Sequence, residues 1–245
     1  MEKDIEFKQI ILVTDGESNV GYSPVEVAQN ANQKGVNVNT IGIVTGNKKE
    51  KPLAEIQEIA IAGGGLWELT NIKDFAKTIE TVTKKSVYKT IEETVNKELK
   101  NLLGTELNDM HPTSRKTIID IIDKLGDEIG IKTCIVIDCS GSMSNKINIA
   151  KKSIINLLRV LKERKGKTEI AVIGYPDGDY NLYRILCDFT EDIVELEKGI
   201  QKITTGGTTP TGPALQAAVD LLLGNEEKEF EDINTDESIF KDNIV

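Results

Sequence analysis

Thr133-Cys134-Ile135-Val136-Ile137-Asp138-Cys139-Ser140-Gly141-Ser142-Met143, residues 133–143, is the passage on which the fold turns. From Thr133 to Ile137 the run is almost wholly apolar and lacks the polar alternation of a strand wetted on one side. Such a run suits a strand buried on both faces, as in a parallel sheet. It stops at an acid, Asp138, and a short loop rich in hydroxyls and glycine follows. Beyond the loop, Ile147, Ala150, Ile154, Leu157, Leu158 and Leu161 recur at helical spacing. A buried strand, a polar loop and an amphipathic helix in that order make the first half of a βαβ unit.

The same signature appears near the beginning of the chain. Gln9-Ile10-Ile11-Leu12-Val13-Thr14 reads as a second buried strand, ending in the turn Asp15-Gly16. Ser23-Pro24 has the form of an N-cap followed by proline at the first helical position, and Val25, Val27, Ala28 and Ala31 supply that helix with an apolar side. Gly35 stops it. A strand over 36–44 follows, then a helix marked by Leu53, Ile56, Ile59 and Ala60 and ended by Gly63-Gly64-Gly65. Residues 66–69 form a short strand. Downstream of the opening passage, strands over 170–175 and 182–189 are joined by the turn Pro176-Asp177-Gly178-Asp179, short enough to make them antiparallel. Helices are expected over 193–203 and 211–223. Between the two halves runs a long helical pattern from Ile72 to Leu102 closed by Gly104, an irregular stretch over 105–112, and a helix over 113–126 with Ile118, Ile119, Ile121, Ile122 and Leu125 apolar. The alternation predicts an α/β, doubly wound, mostly parallel six-stranded sheet flanked by helices, Rossmann-like in layout. Named by first residue, the strands should lie in the order Leu182, Ile170, Thr133, Gln9, Val36, Leu66.

Bulk properties narrow the partners. The 245 residues carry a formal net charge of -10, which disfavours a phosphate backbone, so no nucleic acid is expected. No apolar stretch is long enough to span a bilayer, and Met1-Glu2-Lys3-Asp4-Ile5-Glu6 lacks the apolar run of a signal peptide, so a cytoplasmic protein without membrane contact is expected. Each of the three cysteines, Cys134, Cys139 and Cys187, lies in or at the end of a strand-like run. Cys134 and Cys139 are an odd number of positions apart and face opposite sides of one strand, and all three are read as reduced. Zinc is disfavoured, since there is no CxxC spacing and His111 is the single histidine.

Three loops carry chemistry: Asp138 to Met143, Gly206-Gly207-Thr208-Thr209-Pro210-Thr211-Gly212, and Thr14-Asp15-Gly16. Ligands of an open parallel sheet sit beyond the carboxyl ends of its strands, where the strand order reverses. Asp138 and Asp15 both stand at such ends. Two carboxylates gathered there repel unless a cation intervenes, and Ser140, Ser142 and Thr209 add neutral oxygens. Oxygen ligands without nitrogen or sulfur select Mg²⁺, Mn²⁺ or Ca²⁺.

Asp138-x-Ser140-x-Ser142 resembles the Asp-x-Ser-x-Ser loop of von Willebrand factor A (VWA) domains. Gly206 to Leu215 resembles their threonine loop, with Thr209 as the metal threonine and Thr208 as the alternative. Thr14-Asp15-Gly16-Glu17 is similar to their aspartate loop. The resemblance covers roughly four-fifths of the chain. It implies a metal-ion-dependent adhesion site (MIDAS) in which Ser140, Ser142, Thr209, Asp138 and Asp15 hold a divalent cation directly or through water. The order departs from the family, because the aspartate loop comes first. A circular permutation is implied, as in small stand-alone VWA proteins of endospore-forming bacteria. Residues 1–86 would be the C-terminal half of the fold, 87–130 an inserted helical linker, 131–224 the N-terminal half and 225–245 an acidic tail, with one domain overall. The implied function is metal-dependent binding of a protein partner that supplies an Asp or Glu carboxylate, without enzymatic activity. Short strands joined by a long linker also admit a homodimer or an exchange of halves between two chains.

Other readings of the same residues carry less. The glycine-rich loop at 206–212 lacks the P-loop lysine, since Pro213 stands in its place. Asp138 as a phosphatase nucleophile lacks a second acid two residues on. Ser140 as a hydrolase nucleophile needs a base, and His111 reads as an exposed residue of the linker. A metal-assisted hydrolase or phosphatase, and a scaffold with a vestigial metal site, remain the alternative functions. Trp67 is expected in core or edge packing, and the stripe from Ile72 to Leu102 in a helical hairpin with 118–125 or as a partner-binding surface.

Overall fold

The computed structural model describes residues 6–44, 52–178 and 181–224. In chain order these form β1 (Glu6–Thr14), α1 (Pro24–Gln33), β2 (Val36–Ile43), α2 (Pro52–Ala62), β3 (Gly64–Thr70), α3 (Phe75–Leu103), α4 (Pro112–Glu128), β4 (Gly130–Asp138), α5 (Ile147–Leu161), β5 (Thr168–Tyr175), β6 (Arg184–Thr190), α6 (Ile193–Gln201) and α7 (Thr211–Leu223). Short 3₁₀ turns lie over Leu107–Asp109 and Gly141–Met143.

One sheet of order β3-β2-β1-β4-β5-β6 runs through the molecule, parallel except for β6. This is the predicted order. β1 and β4, from opposite ends of the sequence, meet at its centre, with Phe7 opposite Ile131 and Val13 opposite Ile137. The two halves thus close within one chain. The side chains of β1 and β4 point alternately into two cores. Ile11, Val13, Ile135 and Ile137 pack with α3, α5 and α6, while Ile10, Leu12, Cys134 and Val136 pack with α1, α2 and α7. Both faces of the central strands are therefore covered, which is why those strands read as unbroken apolar runs.

Gln9 and Asn39 depart from that apolar reading, being fully buried polar residues inside β1 and β2. Gln9 Nε2 donates to Thr133 Oγ1 (3.1 Å), Asn39 Nδ2 donates to Gln9 Oε1 (3.1 Å), and the Leu66 amide donates to Asn39 Oδ1 (2.9 Å). This chain of hydrogen bonds crosses β4, β1, β2 and β3 and satisfies side chains that would otherwise be costly to bury.

A third cluster lies at the opposite end of the strands from Asp138. Phe7 and Ile131, near the starts of β1 and β4, pack against Val87, Ile91, Leu107 and Ile122 of the α3–α4 arm. The expected hairpin of these helices is present. α3 is a continuous 29-residue helix, so the expected boundary between 86 and 87 falls inside it. No glycine or proline interrupts it before Gly104, whose φ of 68° ends it in the left-handed region. α4 buries little: Ile122 faces the cluster, whereas Ile119, Ile121 and Leu125 are exposed. Gly64 and Gly65, expected to end a helix, belong to β3 instead. A Cβ on Gly65 would lie 2.2 Å from the Val38 carbonyl oxygen, so glycine allows the two backbones to approach. Trp67 sits on that edge strand and is 40% exposed, which removes it from the core. The acidic stretch from Asn225, and Asp179, lie outside the described residues.

Candidate metal centre

β1 and β4 are the adjacent strands from which the chain leaves toward opposite faces: α1 packs in one core and α5 in the other. Their carboxyl ends therefore flank the crevice at which sheets of this kind take ligands. Thr14 ends β1 and Asp138 ends β4. The Thr14 hydroxyl donates to Asp138 Oδ2 across 2.8 Å, tying the two strand ends together.

Asp138 is fully buried. Its Oδ1 accepts the Ser140 amide at 2.8 Å, so each carboxylate oxygen holds a neutral donor. Burial raises its pKa above the ordinary carboxylate value, and the bonds from Ser140 and Thr14 oppose that rise. Behind it stands Tyr175, the last residue of β5, also fully buried. The Tyr175 hydroxyl has no well-formed hydrogen bond, though Thr14 and Thr211 lie near it. Burial, and then the charge of Asp138, holds its pKa well above the usual phenol value.

Outward from Asp138 the oxygens form a chain. Ser140 Oγ and Ser142 Oγ are 3.0 Å apart, and Ser142 Oγ donates to Asp15 Oδ1 at 2.6 Å. Asp15 Oδ2 pairs with the Lys146 ammonium. Ser140 is buried and Ser142 exposed, so the row comes to the surface at Ser142. A groove lined by Val44, Asn71, Ile72, Asn145, Ser142 and Lys146 opens beside it.

Thr209 joins the site through its loop. Its amide donates to Asn19 Oδ1 at 2.8 Å, and its carbonyl accepts the Asn19 amide at 3.1 Å and the Ser18 hydroxyl at 3.4 Å. Ser18 is held in turn by Glu55, which accepts its amide at 2.8 Å. On the other flank the Gly206 amide donates to the Cys139 carbonyl at 2.8 Å, and the Thr205 and Ser144 hydroxyls are 3.0 Å apart. Gly212 is required where α7 starts, since a Cβ there would lie 2.0 Å from the Tyr22 carbonyl oxygen. Thr208 is exposed.

Hydrogen bonds thus connect Asp138, Ser140, Ser142 and Asp15, and backbone bonds bring the Thr209 loop against them. Thr14, within one of the three loops, is not among the expected metal residues, and Asn19 and Lys146 lie outside those loops. Thr14 had a signal, as a hydroxyl at a buried strand end beside an acid. Asn19 and Lys146 act across long sequence separations and had none. His111 caps α4, accepting the Thr113 amide on Nδ1 at 3.4 Å, in the arm at the far end of the sheet. It is remote from Ser140.

The donor set suits a small hard cation. It consists of hydroxyl and carboxylate oxygens, and no group of three or more His, Cys, Asp or Glu residues gathers among the described residues. Two neighbouring oxygens about an octahedral cation with bonds of about 2.1 Å stand about 3.0 Å apart. Ser140 Oγ and Ser142 Oγ already keep that separation.

Two sequence profiles, each of the von Willebrand factor type A domain, match the chain, one over residues 7–85 and the other over residues 133–235. Uncharacterized protein YabS of Bacillus subtilis (strain 168) is 34% identical over 213 residues, 86% of each chain. Among solved structures, an uncharacterized protein from Alicyclobacillus acidocaldarius subsp. acidocaldarius DSM 446 superposes with a TM-score of 0.82 at 34% identity, over 89% of this chain and 94% of that one. Proximal thread matrix protein 1 from the mussel byssus, with a zinc-occupied MIDAS motif, is 19% identical with a TM-score of 0.28, too slight a likeness to bear on this chain. No helix among the described residues is long and apolar enough to cross a membrane.

Proposed function

This chain belongs to the von Willebrand factor type A domain family, and on that footing we propose that it is a metal-dependent protein-binding module that captures a partner's Asp or Glu carboxylate. Ser140 and Ser142 would hold a divalent cation directly, with Asp138, Thr209 and Asp15 completing its surroundings. Mg²⁺ is the first candidate, and Mn²⁺ and Ca²⁺ have the same preference for oxygen. The cation supplies an electrophilic centre that an outside carboxylate can complete.

The observation that carries the reading is the unbroken row of oxygens Asp15 Oδ1, Ser142 Oγ and Ser140 Oγ at the crevice between β1 and β4. Asp138 acts as the inner frame. Its oxygens fix the Ser140 amide and the Thr14 hydroxyl, and so set where the first serine stands. Asp15 orients Ser142 by accepting its proton, which makes Ser140 the donor in the contact between the two serines. The adjoining groove gives space for the residues flanking a partner's carboxylate.

Binding rather than catalysis is supported by the place of His111, at the far end of the sheet from both serines. The halves stand in swapped order relative to the family: the aspartate loop follows β1, and the serine loop follows β4. Because β1 and β4 are neighbours and the α3–α4 arm joins the halves at the opposite end, the swap leaves the crevice intact.

Affinity capture with the full chain, in Mg²⁺ and in chelator, tests the proposal. Wild type should retain a partner only with metal, and Ser142→Ala and Asp138→Ala should lose it, with circular dichroism confirming the fold. Wild-type capture that survives chelator, or capture by Ser142→Ala as strong as that of wild type in Mg²⁺, would remove the metal from the account.

A further inference from the structure

Lys146 is the charge at this site that the three loops do not supply. It stands immediately before α5 and pairs with Asp15 Oδ2. The pair is enclosed: the Asp15 side chain is 1% exposed and the Lys146 side chain 13%. Asp15 therefore divides its oxygens between a cation belonging to the protein and the Ser142 hydroxyl. Asp138, by contrast, is met by two neutral donors and keeps its charge uncompensated.

Two carboxylates beside a divalent cation would by themselves neutralise it, leaving no electrostatic demand for an acidic ligand from outside. An ammonium in contact with one of them changes that balance. We propose, resting on the metal reading above, that Lys146 sets the charge of the site: it cancels Asp15, so that the bound cation keeps a surplus positive charge and selects an anionic partner group. Its effect on the two ligands has opposite signs. A positive charge this close weakens uptake of the divalent cation and strengthens capture of the carboxylate, and the low exposure of the pair limits screening by salt. By holding Asp15 Oδ2, Lys146 also withholds that oxygen from the metal. Both effects make the metal site weaker alone than in company with a carboxylate.

Calorimetric titration of Mn²⁺ into the full chain tests this, with acetate as the carboxylate probe and chloride at equal ionic strength as its control. Lys146→Gln should bind Mn²⁺ roughly tenfold more tightly than wild type. Acetate should tighten Mn²⁺ binding by wild type and by Lys146→Arg, but not by Lys146→Gln. A lysine that only braced the fold would give the reverse sign, with looser Mn²⁺ binding in Lys146→Gln. That result, or an unchanged affinity with the acetate effect intact, overturns the proposal while leaving the metal site standing. Wild type that takes up no Mn²⁺ overturns the metal reading and this one with it. Should Lys146→Gln fail to fold, wild type and Lys146→Arg decide the matter, and the absence of any acetate effect in both overturns it.

Discussion

The Ser142 hydroxyl donates to Asp15 Oδ1 across 2.6 Å, joining residues 127 positions apart in the chain. The same carboxylate holds Lys146, so one side chain fastens the loop after β1 to the start of α5. Asp15→Asn removes the charge and leaves an enclosed ammonium without its counter-ion. The metal-free variant should lose about 1–3 kcal/mol, the usual range for a charge-assisted bond whose partner stays buried. Urea denaturation in chelator measures this loss. Wild type should then gain thermal stability from Mg²⁺, and the variant should gain less, because its Ser142 is no longer oriented by an anion. Identical urea midpoints for the two proteins would show that this bond does not hold the loops together.

Asn19 fastens the other side of the site by gripping the Thr209 backbone at two points, through its side-chain oxygen and its own amide. Asn19→Ala deletes one of the two and should cost about 0.5–1.5 kcal/mol. Metal affinity should fall as well, although no proposed ligand has been changed. Asn19→Asp keeps an oxygen acceptor at the same place and should retain the grip. Amide hydrogen exchange at Thr209 reads the effect directly: faster in Asn19→Ala, close to wild type in Asn19→Asp. Unchanged Thr209 protection in Asn19→Ala would leave the loop's position to other contacts.

Gln9 stands in the middle of a polar chain inside the sheet, between Thr133 and Asn39. Replacing it with leucine keeps roughly the same bulk but removes the partner of two buried groups. The expected loss is about 2–4 kcal/mol, larger than a surface change gives, because each orphaned group bears its own desolvation cost. Chemical denaturation checks the figure. A loss below about 1 kcal/mol would mean that the neighbouring strands re-pair without it.

The Gln9 chain also marks where sequence reading stops. Ile10 to Val13 and Cys134 to Ile137 announce central strands because burial on both faces leaves them no polar alternation, and the strand order follows from two such strands and their helices. Gln9 sits among them in the sequence without any sign that it is buried and bonded, since its partners come from other strands. Periodicity failed similarly at α4, where Ile121 and Leu125 lie at helical spacing with Ile118 and Ile122 but are exposed: spacing finds an apolar stripe and does not say what covers it. α3 runs unbroken past 86 and 87 because no glycine or proline stands between Phe75 and Gly104. At the site, Asp138, Ser140, Ser142 and Asp15 were visible because they cluster in short loops after strands. Lys146 and Asn19 were not, because each is defined by a contact more than a hundred residues away.

Two buried thiols give the fold a pH dependence on the alkaline side. Cys134 and Cys139 are free, and burial is the main reason both resist ionisation, with nearby Asp188 adding for Cys134 and Asp138 for Cys139. Cys134 is pushed far above the ordinary thiol value, and Cys139 is pushed up to about 12. In the unfolded chain both regain the ordinary value of 9.0. The folded state then holds these protons more tightly than the unfolded one. Stability is complete below the ordinary thiol value and falls as pH rises from there toward the folded values, by up to about 1.4 kcal/mol per pH unit for each thiol. Urea midpoints taken between about pH 8 and about pH 10 should decline steeply in wild type. The Cys134→Ala, Cys139→Ala double variant should start lower, from two small cavities, but decline less steeply over the same interval. Lysines and tyrosines titrate in both proteins, so the difference in slope belongs to the thiols. Parallel slopes would mean that these sulfurs reach water in the folded protein, against their near-zero exposure.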